Sequence, residues 1–404
     1  MISRRSALAA AITAFAAPGL ARASSNLFEA PFRVTRNMPW AAVVVNGKDP
    51  LAFLIDTGST DFWVTRTAAV TLGLEQLGRG RVQALLGRSD VDVFQAAEVI
   101  VGGAMRERDV TMGAMRDDFH DLVSGIIPMA KVGVMGLDFD RQVMTMSRGM
   151  QKEMIAGYDR FETVAGDDGL EGSAALLKRR SRSDAVVGVI DQRPVIEASF
   201  DGKPVRLLVD SGAVGGLLLR PDYVKAQGLW DHYPKAVETG VSGLLRGGRA
   251  RMARAEELRI GRFLFQKPVV MLQDPSDSLE DGSMPVDGLI GMDILRRFNF
   301  LNQASRQELY LKPSQAMHDV YRHDRAGVFI DRTDAGLGVT WLREGSPAAR
   351  AGLAVGDRIT GWRGKDGYYG LLWALTGPVG SKVEIQVERD GKPQLIPVVL
   401  EETV

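Results

Sequence analysis

The sequence contains no cysteine. That excludes disulfides, thiolate metal sites, a cysteine nucleophile and a lipid anchor on cysteine. It leaves the compartment open, because a chain without thiols is safe in oxidising and reducing surroundings alike. Histidine is scarce, with four in 404 residues (His120, His232, His318 and His323). None of the four stands in a His-Glu-x-x-His arrangement that would hold zinc. No Gly-x-Ser-x-Gly elbow supplies a serine nucleophile. Charge of one sign is not in excess either: 50 Lys and Arg balance 50 Asp and Glu. Neither nucleic acid nor an anionic membrane surface is therefore expected as a partner.

Long apolar runs are also missing after the N-terminus, where nothing approaches the roughly 20 residues of a membrane span. The N-terminus itself reads as an export signal. Ser3-Arg4-Arg5-Ser6 precedes an alanine-rich apolar run from Ala7 to Leu20, and Ala21-Arg22-Ala23 offers small residues to a signal peptidase. The paired arginines resemble a twin-arginine signal, although Ser6-Ala7-Leu8 replaces the usual Phe-Leu. Residues 1–23 are expected to be cleaved, leaving a periplasmic or secreted bacterial protein.

What is present is a set of short strands rich in Val, Ile and aromatics, punctuated by Asn-Gly, Gly-Gly and Pro. Residues 151–187 break the pattern with "GDDGLEG" and the basic run "LLKRRSRSD", and read as a linker with a solvated charged face. The chain then repeats itself. "VNGKDPLAFLIDTGSTDFWV" (Val45–Val64) matches "FDGKPVRLLVDSGAVGGLLL" (Phe200–Leu219), and "SGIIPMA" (Ser124–Ala130) matches "DGLIGMD" (Asp287–Asp293). In both copies an aspartate, Asp56 or Asp210, ends an apolar strand, a costly place for a carboxylate without a partner or a task. Two β-rich halves related by a pseudo-dyad would bring these two aspartates face to face.

Asp56-Thr57-Gly58-Ser59 and Asp210-Ser211-Gly212-Ala213, with Leu289-Ile290-Gly291 downstream, resemble the signature of the aspartic peptidases of the pepsin and retropepsin types. The resemblance covers residues 35–313. It implies a mainly β fold in which two β-barrel lobes, residues 32–150 and 188–313, form one cleft around a catalytic pair, Asp56 and Asp210. It also implies that Thr57 and Ser211 brace each loop against the other lobe. Two adjacent carboxyls share one proton. The ionised member activates a water, and the protonated member donates to the carbonyl oxygen where charge develops. Protein or peptide substrates are expected, with no metal and no organic cofactor. The glycines are expected to let each loop turn tightly. Ser59 can donate to Asp56 where Ala213 cannot serve Asp210, which assigns the ionised state to Asp56.

Two features depart from the family. Pro128 stands where the second copy has Gly291, so an irregular first support loop is expected. No tyrosine occurs between Asp56 and Gly157, so a flap is expected from "ALLGRSDVDVF" or "VSGLLRGGRA". Asp138-Phe139-Asp140 matches the strand entry after the support loop rather than a metal site.

Residues 327–400 resemble a bacterial PDZ domain (α+β). Ser346-Pro347-Ala348-Ala349 opens a helix, Gly356-Asp357-Arg358-Ile359 enters a strand, and Arg389-Asp390-Gly391 turns a hairpin. The resemblance makes Gly336-Leu337-Gly338-Val339 the loop that holds a peptide's C-terminal carboxylate, with the peptide added along "VTWL". The rival to an exported aspartic endopeptidase is an inactive pepsin-like scaffold whose PDZ domain recruits peptides as an adaptor.

Overall fold

The computed structural model describes residues 22–24, 27–84, 87–117, 122–163, 193–242, 247–277, 286–333, 336–362 and 367–404. The export signal up to residue 21 and most of the linker, with its basic run, lie outside them. The described chain is mainly β, arranged as four sheets.

Two of the sheets are built alike. In the first, Leu51–Asp56 pairs in parallel with Gly125–Pro128, and Phe62–Thr65 in parallel with Met105–Met115. In the second, Lys203–Val209 pairs in parallel with Gly288–Ile290, and Leu217–Leu219 in parallel with Val269–Gln273. The apolar runs "AFLI" and "LLV" form these central strands because their neighbours bury both faces. Phe53, Leu54 and Ile55 are fully buried, as are Leu207 and Val209. Each lobe also carries a long hairpin, Glu75–Ala84 with Gly87–Val101 and Val237–Ser242 with Gly247–Arg254. Both flap segments foreseen in the sequence are therefore hairpins, with tips (85–86 and 243–246) outside the described residues.

A seven-stranded sheet joins the lobes. Its centre is Val134–Asp138 from the first half against Phe298–Gln303 from the second, antiparallel with Met135 opposite Asn302 and Leu137 opposite Phe300. Gly136 is required there, since a Cβ would run into Leu301 and the Phe300 carbonyl.

The C-terminal sheet has five strands in sequence order from Val328–Thr333 to Lys392–Val399. Helices Pro347–Arg350 and Gly367–Ala374 accompany it, and its core includes Ile330, Val339, Leu371, Ile385 and Val398. Ser346 caps the first helix, accepting from Ala349 N–H at 3.2 Å. Asp390 and Gly391, both at positive φ, make the tight turn between the last two strands.

Candidate active site

Asp56 and Asp210 end the two equivalent central strands, and the fold brings them together. Their carboxyls hydrogen-bond each other. Each also accepts from the glycine of its own loop: Gly58 N–H to Asp56 Oδ1 at 2.7 Å, and Gly212 N–H to Asp210 Oδ1 at 2.8 Å.

The two loops hold each other through their hydroxyls. Thr57 Oγ1 donates to the Val209 carbonyl (2.5 Å) and accepts from Ser211 N–H (2.8 Å). Ser211 Oγ donates to the Ile55 carbonyl (2.8 Å) and accepts from Thr57 N–H (3.0 Å). Both side chains are almost fully buried, Thr57 at 0% and Ser211 at 1% exposure. All four groups would otherwise be orphaned away from water, so the cross-bonding fixes the lobes relative to each other.

Gly212 lies in the turn that Ala213 N–H closes on the Asp210 carbonyl at 3.3 Å, and both glycines also have a second task. Neither Gly58 nor Gly212 is among the residues at positive φ. A Cβ on Gly58 would lie 2.7 Å from Asp210 Cγ, and one on Gly212 2.6 Å from Asp56 Oδ2. Each glycine makes room for the carboxyl of the opposite lobe.

The hydrogen bonds around the two carboxyls also differ. Ser59 does not reach Asp56; its hydroxyl donates to the Asp61 carbonyl at 2.9 Å. Asp210 accepts a second backbone bond, from Ala213 N–H at 3.2 Å, that Asp56 lacks. Burial, and then the charge of Asp210, push the Asp56 carboxyl well above the usual range. Burial raises Asp210 as well, but the Gly212 and Ala213 N–H groups and the hydrogen bond from Asp56 pull it back. Both carboxyls are therefore raised together and hold a proton between them, and the extra backbone N–H bond favours charge on Asp210 rather than on Asp56.

The loops are supported unequally. Behind Asp210, Gly291 N–H donates to the Gly216 carbonyl (2.6 Å) and Met292 N–H to the Ala213 carbonyl (2.7 Å). A Cβ on Gly291 would stand 2.5 Å from one carbonyl oxygen and 2.6 Å from another. Behind Asp56, Pro128 continues the strand opposite Asp56 and has no N–H to give. Side chains replace the bond: Ser59 and Thr60 fold onto Asp61, and Lys131 Nζ meets Asp61 Oδ1 at 2.9 Å.

Arg193 is a site residue that the motifs did not reveal. Val195 pairs with Leu208 and Val209 N–H donates to the Pro194 carbonyl, so the antiparallel ladder sets Arg193 beside Asp210. Its charge lowers both carboxyls. In the first lobe the same register gives Met38 beside Asp56. The one available signal was the proline that follows each of them, Pro39 and Pro194.

Gly336-Leu337-Gly338-Val339 is not a free loop. These residues begin the strand Gly336–Leu342, paired with Val328–Thr333 on one side and bridged to Arg358 on the other. Val339 N–H also donates to the Asp357 carbonyl at 2.9 Å. Val328–Thr333 forms the edge of this sheet. The Ala326 and Gly327 N–H groups that lead into it bond the chain's own Asp324, at 2.9 and 2.8 Å.

The family described as "Aspartyl protease" matches residues 41–139 and 196–294, one match in each lobe and together just under half of the chain. The match supports an aspartic peptidase. No curated protein sequence matches the chain. Among solved structures, the aspartic proteinase from Irpex lacteus is similar at a TM-score of 0.43 and 12% identity, over 72% of this chain and 99% of that one.

Proposed function

We propose that the protein is an aspartic endopeptidase in which Asp210 activates a water and Asp56 donates the proton to the carbonyl oxygen of the scissile amide. The observation that carries this reading is the pair of hydrogen-bonded carboxyls, one from each lobe, with burial holding a proton between them. Asp210 accepts two backbone N–H bonds and is oriented as the base. Asp56 keeps its proton into the range where it can act as an acid. An extended peptide lies between the lobes under the two hairpins. The reaction needs only water from outside the chain.

Residues 1–23 are read as a cleaved, twin-arginine-like export signal, which places the mature enzyme in a bacterial periplasm or outside the cell. No helix among the described residues is long and apolar enough to cross a membrane. The C-terminal domain is read as PDZ-like. In that reading an extended peptide would add as a strand to its sheet.

Digestion of casein and of fluorogenic peptides by the purified chain tests the mechanism. Asp56→Asn and Asp210→Asn should each cut the rate by about 10²–10⁴-fold or more, the weight of a lost acid or base, without unfolding the chain. The wild-type profile against pH should be bell-shaped, since activity needs one proton on the pair. Full turnover in either variant, or a rate that climbs steadily into alkaline pH, would overturn the mechanism.

A further inference from the structure

Strand side chains alternate between faces, so Leu54 shares the face of Asp56, and Leu208 shares the face of Asp210. Each leucine belongs to an apolar cluster on the catalytic side of its lobe. The first-lobe cluster gathers Met38, Trp40, Leu54, Trp63 and Ile126, and Val91 from that lobe's hairpin packs on it. The second gathers Val195, Leu208, Leu218 and Leu289, with Val241 from the other hairpin. Both clusters are buried on the dyad's face of their sheets, and their likeness ends there. The first cluster holds two tryptophans and the second is aliphatic. A ring from outside the lobe, Tyr369 on the C-terminal helix Gly367–Ala374, also packs against the first cluster.

The same domain reaches the second lobe. A Cβ on Gly240, in that lobe's hairpin, would lie 2.5 Å from the Phe329 ring, so the missing side chain admits the phenylalanine. Further contacts fix the placement. Arg254 of the second lobe reaches the C-terminal tail through Glu402 (3.2 Å) and the Val404 carbonyl (3.2 Å). Arg322 N–H donates to Asp293, two residues beyond Gly291 (3.1 Å).

We propose that the C-terminal domain is part of the substrate cleft, with Tyr369 extending the first-lobe wall into a site for a large aromatic side chain of the peptide. The inference rests on the peptidase reading above. Aromatic rings favour edge-to-face neighbours, and Trp40, Trp63 and Tyr369 supply them on one side of the dyad only. The second wall takes aliphatic side chains.

The test uses the full chain and matched peptides that differ only by Phe or Leu at the position next to the cleaved bond. Tyr369→Ala should lower kcat/KM for the Phe peptide by about three- to tenfold, the size of an aromatic pair contact. The loss should appear in KM, the Leu peptide should be unaffected, and Tyr369→Phe should restore the preference. An equal loss for both peptides, no change, or a gain for both as if a lid had been removed would overturn the proposal. Calorimetry of the same peptides on Asp210→Asn, with and without Tyr369→Ala, separates the two readings. A Phe preference that depends on Tyr369, beside a wild type that cleaves nothing, refutes the peptidase and keeps the wall. Absence of that preference in binding refutes the wall.

Discussion

The loop behind Asp210 is held by backbone and the loop behind Asp56 by side chains. In the second lobe, Gly291 lets two main-chain bonds close on the Gly216 and Ala213 carbonyls. In the first, Pro128 removes that donor, and Ser59, Thr60, Asp61 and Lys131 form the support. The two carboxyls nonetheless meet in nearly the same geometry. The comparison separates what the dyad needs from what merely holds it. The hydroxyl cross-bonds and the two glycines are common to both lobes, whereas the scaffolding behind them is not.

The shared part should be the costliest to break. Thr57→Val orphans the Val209 carbonyl and Ser211 N–H, and Ser211→Ala orphans the Ile55 carbonyl and Thr57 N–H. Each should cost about 2–6 kcal/mol in chemical denaturation, at about 1–3 kcal/mol for each of two buried orphans. A difference above about 1.5 kcal/mol between the two would mean that the grip is not symmetric.

The unshared part should respond unequally. Gly291→Ala forces a methyl against two carbonyl oxygens and should destabilise by about 3 kcal/mol, the upper range for overpacking. Pro128→Gly should cost only about 1 kcal/mol, mainly by loosening the unfolded chain. Comparable costs, read from urea midpoints, would erase the distinction between the two supports. A smaller effect is expected of Ser59→Ala, which makes the first loop resemble the second. It loses one hydroxyl bond to Asp61, about 1 kcal/mol, and should leave the pH profile in place because the hydroxyl does not touch Asp56. A profile that moves would return Ser59 to the dyad.

The smallest change sharpens the electrostatic asymmetry. Arg193→Met gives the second lobe the residue that the first has in that register. Loss of a cation raises both carboxyl pKa values, so the kcat/KM profile should move to higher pH by a few tenths of a unit, the scale of a partly screened charge. Stability should respond in the same sense. Carboxyls raised by folding hold protons that the unfolded chain has released. Their contribution is fully present below the unfolded value near pH 4 and is lost as pH rises through the raised values. Arg193→Met should steepen that loss in melting curves taken from acid to neutral pH, and an unchanged slope would remove Arg193 from the site.

Much of this was legible in the sequence because it was written twice. The repeat carried the two lobes, the pairing of Asp56 with Asp210, and the hydroxyls of Thr57 and Ser211. Other features depend on direction and register, which a motif does not encode. Ser59 has the right chemistry to serve Asp56, but its side chain turns to Asp61. Gly58 and Gly212 read as turn residues, but the opposite carboxyl packed against each is not visible in the motif. Gly336–Val339 reads as a loop, but its residues pair in register with Val328–Thr333. Arg193 lies outside both motifs and reaches the site through a ladder. The packing of Tyr369 and Phe329 depends on how one domain sits against two others, about which local patterns are silent.

The crossed hydroxyls also bear on when activity can first arise during synthesis. Thr57 emerges from the ribosome with its cross-lobe partners still unmade, since Val209 and Ser211 follow 152 and 154 residues later. The central pair of the joining sheet waits longer, for Phe298–Gln303. A chain halted anywhere before the second loop holds one carboxyl and no acid–base pair. On the proposed mechanism, hydrolysis therefore has to wait until the second loop has been made and folded against the first.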